Sequence, residues 1–125
     1  MAGDFQSIFA ALKPVLGKYA GRLAVQTDTS TEYSLVTQKA SPFPQHKGQP
    51  MWFGAVKMGK AYVSYHLMPI YMHAGLQKAV TPALQKHMQG KSCFNFKEAP
   101  APEVLKDLEH LTSASVDAWS EKQWV

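Results

Sequence analysis

Residues 51–68 read MWFGAVKMGKAYVSYHLM, two runs rich in aromatic and β-branched residues separated by Gly59 and Lys60. Such runs around a short glycine-containing break are the strongest local signal for an antiparallel hairpin. Side chains alternate along a strand, so the second run sends Ala61, Val63, Tyr65 and Leu67 to one face and Tyr62, Ser64, His66 and Met68 to the other. The first set is apolar and reads as core. By the same alternation Met51, Phe53 and Ala55 oppose Trp52, Gly54, Val56 and Met58, and Pro69 ends the second strand because it cannot donate to a ladder.

On the N-terminal side of this hairpin, RLAVQTDTSTEYSLVTQ (22–38) alternates apolar and polar residues around the turn cluster Asp28, Thr29 and Ser30, which predicts a second hairpin. The segment 41–50, SPFPQHKGQP, with three prolines and a glycine, is a loop. Phe5, Ile8, Phe9, Leu12, Leu16 and Tyr19 recur every three or four residues, the stripe of an N-terminal helix with Asp4 as its cap and a kink or break expected at Pro14. On the C-terminal side, Thr81 and Pro82 form a cap and first-turn pair for a short helix over 82–89 that Gly90 stops with a positive φ. SCFNF (92–96) is a short fifth strand that sends Phe94 and Phe96, with Ser92, into the core and Cys93 and Asn95 the other way, and Leu105, Leu108, Leu111 or Thr112, Ser115 and Trp119 stripe a final helix. The expected architecture is therefore two-layer α+β: an antiparallel sheet of about five strands, N- and C-terminal helices, and a short helix before the last strand.

A chain of 125 residues is the size of one domain, read here as 1–125, and 46% hydrophobic against 18% charged residues excludes a disordered tail. No apolar run is long enough to span a membrane and Asp4 replaces the basic start of a secretory signal, so a cytoplasmic protein without membrane attachment is expected. The net charge of +4 conceals an asymmetry: residues 33–97 contain eight lysines and no Asp or Glu, whereas 98–125 carry a balance of −4. Either the acidic C-terminal segment packs against the middle and neutralises it, or the lysines form an anion-binding surface. Twelve of the thirteen basic residues are lysines, leaving Arg22 alone for forked contacts to guanine, which argues against sequence-specific nucleic-acid readout.

The residues given to the open face of the sheet, Trp52, Tyr62, Ser64, His66 and Asn95, mix aromatic area with hydroxyl, imidazole and amide groups. That mixture suits a binding surface for a second copy of the chain, a protein segment or a small molecule, or else merely covers an ordinary sheet. Catalytic schemes find fewer supports. His66 and His73 are seven residues apart across Pro69, and no carboxylate lies between Glu32 and Glu98, so no metal site is assigned. Cys93 would need a base and an orienting third group to act as a nucleophile. Lys91 is a neighbour able to favour its thiolate, but the expectation is an inert, packed thiol. No cofactor and no enzymatic activity are assigned. Trp52, Trp119 and Trp124 read as packing anchors, with Trp124 expected to dock because terminal aromatics seldom stay loose.

The stretches GKAYVSYHLMPIYMHAGL and LQKHMQGKSCFNFK, the MQGKSCFNFK segment above all, resemble the YdhG-like group of bacterial domains of unknown function. The resemblance covers most of the chain and implies a fold similar to type III secretion chaperones, in two layers. One branch of that group is linked to frataxin-like iron delivery, which implies an iron carrier as an alternative, although the exposed carboxylates such a site needs are absent from 33–97. The resemblance brings no catalytic residues.

Overall fold

The structure, a computed structural model, describes residues 5–90 and 92–125, with all their side chains except that of His46. The expected cap, Asp4, and the expected neighbour of Cys93, Lys91, lie outside the described residues. Helix α1 (Phe5–Gly17) is followed by β1 (Ala24–Asp28) and β2 (Glu32–Ala40), then by β3 (Pro50–Met58) and β4 (Val63–Leu67). Three short helices come next, α2 (Met68–Met72), α3 (Ala74–Lys78) and α4 (Pro82–Gln85), then β5 (Met88–Gln89), β6 (Cys93–Phe96) and the long α5 (Pro102–Glu121). The strands form one antiparallel sheet of six in the order β1-β2-β3-β4-β6-β5, so the α+β expectation holds with one more strand and two more short helices than the sequence suggested.

The helices lie against one face. Ile8, Phe9, Leu12, Val15 and Leu16 of α1 and Leu108, Leu111, Val116 and Trp119 of α5 are buried together with Phe53, Val56, Val63, Tyr65, Leu67, Phe94 and Phe96 of the sheet. Burial of each such side chain contributes about 1.5–3 kcal/mol, which makes this cluster the main stabilising term. Within it Phe53 meets Trp119 edge-to-face at 5.4 Å, and the Tyr65 hydroxyl lies 2.7 Å from Thr112 Oγ1. Removal from water pushes the Tyr65 phenol well above its usual range, so the group stays protonated there.

Four local expectations need correction. Helix α1 runs through Pro14 without a break, since a proline removes one hydrogen bond and packing holds the remainder. The β3–β4 connection spans 59–62, closed by Gly59 N–H donating to the Tyr62 carbonyl at 2.9 Å, so Ala61 and Tyr62 belong to the loop and not to the strand. The helix after Thr81 ends at Gln85. Its cap is as expected, with Thr81 Oγ1 accepting from Leu84 N–H, but the chain then extends as β5, and Gly90 at φ +75° turns it into β6 instead of stopping a helix.

The fourth correction is a bulge in β3. Leu35 pairs with Gly54 but Val36 pairs with Trp52, leaving Phe53 as an extra residue. A bulge keeps two consecutive side chains on one side and reverses the alternation beyond it. Trp52 therefore stays opposite the helices as expected, whereas Gly54 and Val56 turn inward and Ala55 outward. Gly54 meets the helix layer directly: a Cβ there would lie 3.4 Å from Leu16 Cδ1 and 2.4 Å from the His66 carbonyl oxygen.

Two substitutions test this packing against denaturant. Phe94→Ala is expected to cost about 3–5 kcal/mol, and Gly54→Ala about 3 kcal/mol, because backbone atoms of β4 must move. Asn95→Ala should stay within about 0.5 kcal/mol of wild type. Equal small losses in all three would show that β6 lies outside the core.

Candidate functional site

On the sheet face turned away from α1 and α5, antiparallel pairing sets Ser64 opposite Asn95, His66 opposite Cys93, and Lys57 opposite Ser64. These residues come from three neighbouring strands and form a connected row. His66 Nδ1 lies 2.8 Å from Cys93 Sγ, and His66 Nε2 lies 2.8 Å from Ser64 Oγ. Ser64 Oγ reaches the Lys57 carbonyl at 3.5 Å, and Ser92 Oγ lies 3.8 Å from Cys93 Sγ. Trp52 flanks the row, its ring centroid 5.8 Å from that of His66, with Lys57 Nζ 5.8 Å above the indole. Ser64 is buried and His66, Cys93, Trp52 and Asn95 are half-buried, so the row is sheltered without being sealed.

The electrostatics follow from this shelter. Desolvation, helped by the Lys57 ammonium, lowers His66 to about 4, so the ring is neutral at pH 7 and one of its nitrogens is an acceptor. His66 and Cys93 supply two metal-type donors, but among the described residues no group of three His, Cys, Asp or Glu side chains gathers as a metal site.

Trp52 also belongs to a second feature. A cavity of about 340 Å³ opens at the end of β3 and β4, lined by Phe43, Met51, Trp52, Met68, Met72 and Trp119 among others. The 41–50 loop forms its rim, and Trp124 pins that loop by packing edge-to-face on both Phe43 and Trp119 at 5.6 Å. Trp124 is thus docked, as expected of it. The Trp119 indole Nε1 is buried and has no hydrogen-bond acceptor among the described residues.

Of the five residues assigned from sequence, the structure brings Trp52, Ser64 and His66 into one cluster, with Asn95 at its border across from Ser64. Tyr62 stands apart in the 59–62 loop, where with Asn95 and His87 it borders a shallow depression of about 720 Å³. Cys93, expected to be an inert thiol, is the residue that sequence reasoning undervalued. Its base was legible once His66 and Cys93 were both assigned to the open face, but their pairing depends on register, which single strands do not reveal. Neutralisation of the lysine-rich middle by the acidic C-terminal segment, one of the two alternatives, is not seen as ion pairs among the described residues. Among the described residues the ion pair is Lys13–Asp28, outside the lysine-rich middle. No helix among the described residues is long and apolar enough to cross a membrane. No family model, curated protein or solved structure matches the chain.

The lowered His66 value sets a pH dependence. Between about 4 and its ordinary value of about 6.5, the unfolded chain binds a proton at His66 that the folded chain does not. Stability is therefore full above pH ~6.5, declines as pH falls through that window, and levels off for this group below about 4. Melting curves of wild type and His66→Gln should diverge in slope over this range, the variant being flatter. Parallel curves would show that His66 is solvated and unperturbed.

Proposed function

We propose that this protein is a non-enzymatic binding module that receives a small molecule at Trp52, with the Ser64–His66–Cys93 row on one side of the indole and the apolar cavity on the other. The observation that carries this reading is the double role of Trp52, which faces His66 and also walls the cavity. Binding sites pair apolar area with a few fixed polar groups, and here both meet at one half-buried ring. A flat apolar body suits Trp52 and the methionines of the cavity. A second copy of the chain or a protein segment on the open face is the competing occupant. Iron carriage and anion binding through the lysines have no comparable convergence of groups behind them. The YdhG-like resemblance is part of the same proposal and adds no site residue to it.

Titration with the fluorescent probe 1-anilinonaphthalene-8-sulfonate tests the site. Wild type is expected to give a saturable signal that Trp52→Ala weakens by about tenfold, the loss of roughly one aromatic contact. Indistinguishable titrations for the two proteins would remove Trp52 from any site. A sedimentation coefficient that rises with protein concentration and falls back in Trp52→Ala would replace the small molecule with a second copy.

A further inference from the structure

The open face holds more than reversible binding requires. The arrangement of protons that uses all three contacts of the row has the Ser64 hydroxyl donating to the Lys57 carbonyl at 3.5 Å and its oxygen accepting from His66 Nε2–H. With its proton on Nε2, the neutral imidazole presents the Nδ1 lone pair to Cys93 Sγ, 2.8 Å away. A thiol, a base within hydrogen-bond reach and a third group that fixes the tautomer of the base together form the constellation of an activated nucleophile. Cys93 is part-exposed. Across His66, on β3, stands Trp52, which also walls the apolar cavity.

We propose that Cys93 is a covalent capture site for small, flat, conjugated carbonyl compounds, with His66 as the base and Ser64 as the positioning residue that holds its tautomer. The proposal rests on the reading of Trp52 as the ligand-binding ring and names the class of ligand. In the reaction His66 Nδ1 takes the Cys93 proton while the sulfur lone pair forms a bond to the β carbon. The C=C π pair moves onto the α carbon and carbonyl oxygen as an enolate, and the proton on Nδ1 is then delivered to the α carbon. The net change is addition of S–H across the double bond, with no leaving group, oxidant or reductant. Lys57, whose Nζ lies 5.8 Å above Trp52, is the cation of this face that would offset part of the enolate charge.

The test uses two acceptors with the same reactive group, acrylamide and N-phenylacrylamide, and follows adducts on the intact chain by mass spectrometry with Cys93→Ser as background. At about pH 7 wild type should react with acrylamide at least tenfold faster than His66→Gln, a modest share of what a positioned base usually supplies. The rates should converge near pH ~10, where thiols ionise without a base. A merely structural His66 would not produce that convergence. Should His66→Gln fail to fold, Ser64→Ala keeps the ring, frees its tautomer and carries the same comparison with a loss of about threefold. Wild type should also prefer N-phenylacrylamide, and Trp52→Ala should abolish the preference. Equal acrylamide rates at pH 7 with and without His66 would overturn the activation alone. A rate indifferent to the phenyl group and to Trp52 would overturn the binding reading and the ligand class together.

Discussion

The close approach of β3 to β4 at Gly54 is the constraint on which the remainder of the molecule depends. A methyl group at Gly54 would sit 2.4 Å from the His66 carbonyl, so the two strands take their observed register only because that side chain is missing. The bulge at Phe53 lies immediately before it. Together they send Phe53 down onto Trp119 and leave Trp52 on the other side, against His66. One irregularity thus anchors the largest aromatic of α5 in the core and places an indole beside an imidazole on the opposite face. A strand with unbroken alternation that kept Phe53 on Trp119 would turn Gly54 and Val56 outward, and one that kept Val56 inward would turn Phe53 out and Trp52 in.

The hairpins, the apolar stripes of both long helices, the Thr81 cap and the inward Phe94 and Phe96 were legible from local pattern because each depends on one element's own period or turn chemistry. What was not legible depended on pairing. The bulge leaves no mark in the alternation of MWFGAVKM, where Gly54 could belong to either face. Tyr62 looked like a strand residue because AYVSYHLM alternates from its first position, yet the loop claimed Ala61 and Tyr62 to close its hydrogen bond. Cys93 and His66 are 27 residues apart and meet only because β6 pairs directly with β4, after three short helices and β5 have carried the chain to the far side. The candidate site was therefore readable as a set of residue types on a face and unreadable as a bonded row.

Shelter determines what that row can do. Desolvation disfavours a positive charge on His66, and Lys57 disfavours it further, so the resting imidazole beside Cys93 is the neutral one. An imidazolium–thiolate pair would be more reactive at rest and also more exposed to oxidation, since the thiolate is the form that oxidants attack. A neutral imidazole defers the proposed charge separation until an electrophile is in place. At that moment the imidazole cation and the developing enolate appear together, each offsetting the other inside a region of low dielectric where such compensation is strong. The same burial that weakens His66 as a free base thus confines its basicity to the occupied site, and it does so through Ser64, because a ring free to turn or change tautomer would present N–H to the sulfur half of the time and hold nothing ready to take its proton.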